Sequence, residues 1–238
     1  DKDSSRFNIF YILNLETSEV RLHSAFIAEL LDPGGTHSCK AKFLELFIKD
    51  LVQKFGNHGS LVSFNVSSGK VEVEKCIGYK NDDSTRGGRI DLLISDNYQN
   101  HIIIENKIEA DDQPKQLLRY HNFDPDALLL YLTLSGKEPN KHIDKNRDST
   151  GGTLNLDKDF FLISYEEFIL QWLKKCHDIA SEKTKVKETI SQYMNLIKDY
   201  TSQSPIHKMK EKIIDLLRQN REFYSSVEDI NKAYQAFN

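Results

Sequence analysis

Cysteine is sparse in this chain: Cys39, Cys76 and Cys176 are the only three, and they lie far apart. An odd, scattered set excludes a disulfide framework and a CxxC zinc site. It points to a reducing, cytoplasmic setting. His37 stands near Cys39, but no second pair completes a zinc site. No apolar stretch approaches the roughly 18 uninterrupted residues of a membrane-spanning helix. No apolar run behind a charged start marks a secretion signal, and since the chain begins at Asp1 without a Met, its true start is expected upstream. A GxxxxGK phosphate loop and a GxSxG nucleophile elbow are both absent, which removes two large classes of hydrolase.

What is present is a polar but foldable chain. Its 238 residues allow one large domain, or one domain with a helical appendage. An aromatic share of 10%, with recurring apolar runs, excludes wholesale disorder. The formal net charge is −4, which argues weakly against a nucleic-acid coat, but its distribution says more. From Gln171 to Arg221, eleven Lys/Arg face six Asp/Glu, a balance of +5 that leaves −9 for the rest. A basic helical end beside an acidic remainder suits a site that holds metal ions and faces a polyanion. Two ordinary solvated helix faces would give the same pattern.

Apolar residues recur at helical spacing from about Val20 to Leu31, and Asp32-Pro33-Gly34-Gly35 stops that helix. A second helix is expected from Ala41 to Phe55, with Phe43, Leu44, Phe47, Ile48 and Leu51 on one face. Lys70 to Tyr79 alternates, Val71 and Val73 against Glu72 and Glu74, as a strand does. Arg89–Ser95 and His101–Lys107 read as Ile-rich strands joined by a hairpin turn. A helix is expected over Asp111–Phe123, capped by Asp112 with Pro114 in its first turn. Ala127–Leu134 and Phe160–Ile163 read as buried strands, separated by a long polar loop. Helices over Glu166–Cys176, Thr184–Tyr200 and Ile206–Tyr224 complete the chain. The order predicts an α/β fold: a mixed sheet flanked by helices, with extra helices at both ends. It divides the chain into a core over 1–165 and a helical extension over 166–238 packed on it.

The chemistry sits in polar residues inside apolar strands. Asp91 interrupts RIDLLI, and Glu105 and Lys107 interrupt IIIENKI. Glu105 and Lys107 are two apart, so they share a strand face, and an antiparallel partner brings Asp91 beside Glu105. Burying those charges alone is expensive. A divalent cation resolves the cost: hard carboxylate oxygens suit Mg²⁺ (or Mn²⁺), and the Asn106 carbonyl between the two side chains could add a ligand. Lys107 would then hold the attacking water or offset charge on a scissile phosphate. A structural ion pair, with Lys107 bridging the carboxylates, is the alternative.

These motifs, in order, resemble the PD-(D/E)XK nuclease superfamily in its RecB-like and lambda-exonuclease-like branches. Gly88-Arg89-Ile90-Asp91, Glu105-Asn106-Lys107 and Gln116-Leu117-Leu118-Arg119-Tyr120 match a G-x-x-D strand, an E-x-K strand and a Q-x-x-x-Y helix. The N-terminal Glu19-Val20-Arg21-Leu22-His23-Ser24 is similar to the Glu-x-x-x-His-Ser helix that opens some prokaryotic branches. The resemblance implies a restriction-endonuclease-like fold and metal-dependent hydrolysis of nucleic acid, DNA first, leaving a 5′-phosphate and a 3′-hydroxyl. It implies Asp91 and Glu105 as metal ligands, Lys107 as the catalytic lysine, and Glu19 or His23 as the first-helix contribution. Gln116 and Tyr120 either bind phosphate oxygens or position the carboxylates. Arg89 and Arg119 are candidate phosphate contacts, and Glu74 is a third candidate acid. Related chains serve in phage defence or repair, and a partner ATPase or helicase, or a further C-terminal domain, is expected as an option for this chain. A non-catalytic binding module on the same fold and an RNA-cleaving toxin are the competing readings.

Overall fold

The computed structural model describes residues 7–140 and 154–201. Residues 1–197 form one compact unit and 198–238 a second. The expected Ile206–Tyr224 helix, much of the basic C-terminal stretch and part of the long polar loop lie outside the described residues.

Five strands form one mixed sheet in the order β1 (Lys70–Cys76), β2 (Arg89–Ser95), β3 (His101–Lys107), β4 (Leu128–Thr133), β5 (Phe161–Ser164). The first three pair antiparallel, and β4 and β5 run parallel to β3. Strands β2 and β3 begin and end at the residues the pattern predicts. Their turn is held by Asp96, whose Oδ1 accepts the Tyr98 and Asn100 N–H groups at 2.9 Å.

Strand alternation sorts the sheet into two faces. Leu93, Ile103, Leu129 and Tyr131 pack on one, beneath Leu117 and Tyr120 of α5 (Gln116–Phe123). The other carries Asn106, which meets Ser24 and Tyr165. The N-terminal helices are α1 (Ile9–Ile12), α2 (Ala25–Leu31), α3 (Lys42–Phe55) and α4 (Gly59–Val62). On α3 the expected stripe from Phe43 to Leu51 is buried. Each such side chain contributes about 1.5–3 kcal/mol of transfer free energy. After β5 come α6 (Leu170–Ile179) and α7 (Thr184–Tyr200). Trp172 of α6 ties back to α3 by donating its Nε1–H to the Phe43 carbonyl at 2.9 Å.

Four elements depart from the expected pattern. The first helix opens with a wide π-helical turn (Glu19–Ser24), and a second such turn (Tyr165–Ile169) precedes α6. Both supply side chains to Asn106, in keeping with the habit of such turns near functional sites. Helix α5 starts at Gln116, five residues later than predicted. Pro114 biases the residue before it away from helical geometry, and Lys115 is left-handed at φ +58°. Asp112 is therefore no cap: it accepts hydrogen bonds from the Tyr131 hydroxyl and, at 2.7 Å, the Asn140 N–H. In β1 the alternation breaks at Glu74, which is left-handed at φ +53°.

Candidate active site

The site lies where β3 ends and β2 begins. The register pairs Leu92 with Ile104, so Asp91 and Glu105 follow as neighbours across the strands. Asp91 Oδ2 accepts the Asn106 N–H at 2.8 Å, and the two carboxyls are close enough to share a proton. Lys107 Nζ lies 2.8 Å from Glu105 Oε1. Two carboxylates and an amine thus converge, as strand periodicity predicts.

Burial dominates their electrostatics. It pushes the Asp91 carboxyl up to about 6, against the opposing pull of the Asn106 N–H and the Lys107 charge. Burial and then the charge of Asp91 push Glu105 up to about 8. Burial works against a charged Lys107, but Glu105, Asp91 and Glu19 outweigh it and raise the amine.

Glu105 Oε1 is buried against the Lys107 ammonium, and Glu105 Oε2 against the Tyr120 hydroxyl. Two neighbouring buried carboxyls, both pushed above the usual carboxylate range, are hard oxygen ligands that a divalent cation fits once it displaces their protons. Among the described residues no group of three or more His, Cys, Asp or Glu is arranged to hold a metal. Two protein carboxylates would leave the remaining positions to water and substrate, the habit of Mg²⁺.

Glu19 projects from the first π-helical turn to the loop just after Lys107. Its Oε1 accepts the N–H groups of Ile108, Glu109 and Ala110 at 2.6, 3.0 and 2.9 Å. That oxygen therefore holds the loop's backbone. His23 is 2% exposed and engaged at both ring nitrogens. Burial lowers its pKa, so the ring is neutral. Nε2–H donates to the Glu16 carbonyl at 2.9 Å and Nδ1 accepts the Tyr193 hydroxyl at 2.8 Å, a tautomer assigned from these partners. The structure does not bring an open ring nitrogen of His23 to the carboxylates.

Tyr120 and Gln116 stand behind Glu105. The Tyr120 hydroxyl contacts Glu105 Oε2 at 2.9 Å and the Arg89 carbonyl, and accepts from Gln116 Nε2 at 3.0 Å. Tyr120 is wholly buried and Gln116 nearly so, which places both on the carboxylate and away from an open substrate surface. Arg119 is buried too and donates to the Pro114 carbonyl at 2.8 Å, so it is not a surface phosphate contact. Arg89 has an exposed side chain paired with Glu74 at 3.2 Å, which occupies the third candidate acid.

The sequence reading missed the groups that hold Asn106. Its Nδ2 donates to Ser24 Oγ at 3.0 Å, and its Oδ1 accepts the Tyr165 hydroxyl at 2.8 Å. Ser24 could have been found as the last residue of the Glu-x-x-x-His-Ser text; Tyr165 left no local signal. Also missed was a polar cavity of about 330 Å³ bordered by Lys107, Asp111, Asp112, Tyr131, Thr133 and Lys137. It lies at the carboxyl ends of β3 and β4, where open α/β sheets take ligands.

A mixed five-stranded sheet flanked by helices, with Asp, Glu and Lys at the end of two adjacent strands, defines a restriction-endonuclease-like α/β protein. The sequence profile of the PD-(D/E)XK nuclease superfamily matches residues 7–195, and the chain belongs to that superfamily. Its members are nucleases that generally use divalent metal ions, typically Mg²⁺. No curated protein and no solved structure matches the chain.

Proposed function

We propose that this protein hydrolyses phosphodiester bonds of nucleic acid, with DNA as substrate and Mg²⁺ or Mn²⁺ as cofactor. The observation that carries the reading is the convergence of Asp91, Glu105 and Lys107 on one buried patch, with two carboxyls side by side and the lysine ammonium 2.8 Å from one of them. Asp91 and Glu105 would hold the cation, joined by the Asn106 carbonyl. Such an ion makes water acidic enough to attack at neutral pH and withdraws charge from the phosphoryl oxygens.

The chain's own residues supply the rest. Lys107 orients the attacking water and offsets negative charge gathering on the phosphate. Asn106, pinned by Ser24 and Tyr165, keeps the end of β3 from shifting. Tyr120 and Gln116 fix the Glu105 carboxyl, and Glu19 fixes the loop that follows Lys107. Catalysis is assigned to residues 1–165. The basic helical extension over 166–238 is assigned to the path of the strand, a role that the local +5 balance favours. Defence against foreign DNA, or repair, inside the cytoplasm is the setting we attach, by analogy of family alone.

The test is cleavage of plasmid, linear duplex, single-stranded DNA and RNA in Mg²⁺, Mn²⁺ or EDTA, with Lys107→Ala alongside. Metal-dependent cutting of DNA that disappears in Lys107→Ala is expected. Cutting that survives the substitution, or no cutting of any substrate, sinks the reading.

A further inference from the structure

The loop between β1 and β2, residues 77–88, stands at the same end of the sheet as the carboxylates. That end holds the last residues of β1, the first of β2 and the last of β3. The loop is stitched shut. Ile77 N–H donates to the Gly88 carbonyl at 3.0 Å and Gly88 N–H to the Gly78 carbonyl at 2.9 Å. Within it, Arg86 N–H donates to Asn81 Oδ1 at 2.8 Å, and the Thr85 hydroxyl donates to the exposed Asp83 carboxylate at 2.7 Å. It is also anchored outward: Lys115 Nζ donates to the Asp83 carbonyl at 2.8 Å, and Asn122 Nδ2 to the Thr85 carbonyl at 2.9 Å. Gly87 has φ +79°, and a Cβ there would lie 2.1 Å from the Tyr79 carbonyl oxygen, so the backbone at Tyr79 is packed tightly.

On this held backbone the Tyr79 side chain is fully exposed, at 101%. Two cations flank it. Arg86 is exposed and has no carboxylate partner among the described residues, and Lys80 Nζ meets only the neutral Gln113 amide at 3.1 Å. A bare aromatic ring costs little to order when its backbone is already fixed, and base-on-aromatic stacking beside cations is how single strands are gripped without sequence readout.

We propose that Tyr79 is a stacking platform for an unpaired base of the substrate strand near the scissile phosphate, with Arg86 and Lys80 meeting neighbouring phosphates. The loop then favours single strands or frayed ends over continuous duplex. This rests on the nucleic-acid reading above.

The experiment uses full-length Tyr79→Trp. The one native tryptophan, Trp172, is fully buried, so the introduced indole reports the response. A short labelled oligothymidylate, the same oligomer carrying abasic residues, and a blunt duplex are titrated in Ca²⁺, following indole emission and label anisotropy together. Tyr98→Trp is the control: Tyr98 is 68% exposed but lies in the β2–β3 turn at the opposite end of the sheet. Expected are quenching by the oligothymidylate alone, no quenching in the control, and about tenfold weaker single-strand binding in Tyr79→Ala. Binding by anisotropy without quenching, equal quenching by the abasic oligomer or the duplex, or undiminished binding by Tyr79→Ala overturns the platform and leaves the nuclease reading standing. No binding of any oligomer overturns both.

Discussion

The Tyr120 hydroxyl lies 2.9 Å from Glu105 Oε2, while Lys107 meets the other oxygen of the same carboxyl. Gln116 donates to the same phenol oxygen, which also reaches the Arg89 carbonyl at the start of β2. One hydroxyl thus links the strand that carries Asp91 to the strand that carries Glu105. Groups placed behind a metal ligand tune its orientation, and their removal typically costs 10–100-fold in affinity or activity. Tyr120→Phe is therefore expected to weaken Mn²⁺ binding and lower kcat by about tenfold or more, with KM for nucleic acid unchanged. A rise in KM at constant kcat would make Tyr120 a substrate contact instead.

Glu19 makes a different prediction. One of its oxygens accepts three consecutive backbone N–H groups just past Lys107. Glu19→Ala should accelerate hydrogen exchange at Ile108, Glu109 and Ala110 and lower kcat, while Mn²⁺ affinity holds. Loss of Mn²⁺ binding comparable to that of Asp91→Ala would make Glu19 a ligand.

The raised carboxyls set a pH signature. Burial pushes both above the ordinary carboxylate range, Asp91 to about 6 and Glu105, with the charge of Asp91 added, to about 8. The folded state then holds protons that the unfolded state has released, so these groups lower stability as pH rises toward 8. A cation displaces the protons, so Mn²⁺ affinity should tighten as pH rises from 6 to 8. Calorimetric titration in buffers of different ionisation enthalpy would count the released protons. Affinity independent of pH over that window would contradict the assignment.

His23 acts with the opposite sign. Buried and neutral, it has a folded pKa below 6.5, so the unfolded chain binds the proton more readily. Its contribution to stability is present above that pH and is lost as pH falls through 6.5 and below. His23→Gln should flatten the fall of Tm on the acid side. It should also leave the Tyr193 hydroxyl or the Glu16 carbonyl with a poorer partner, at about 1–3 kcal/mol. An unchanged acid slope in the variant would exclude His23 as its source.

Much of the site was legible because strands have a period of two and short reach. Asp91, Glu105 and Lys107 interrupt apolar runs, and once β2 and β3 pair in antiparallel register the three have nowhere else to go. Helix α5 was legible in its body and not in its start, because Lys115 adopts a left-handed conformation that composition does not announce. The roles of Gln116 and Tyr120 were undecided from sequence, since i, i+4 spacing says they share a face without saying what the face meets.

Local pattern therefore determined the bounds of β2 and β3, the burial of α3 and the meeting of the two carboxylates with the lysine. Only the tertiary structure decided the partners that lie far off in the chain. Tyr193 holds His23 across 170 residues, Tyr165 holds Asn106 across 59, and Glu19 reaches a loop about 90 residues on. No periodicity carries such pairings. They arise because buried polar groups must find donors and acceptors wherever packing brings them, and only the folded chain determines which ones are near.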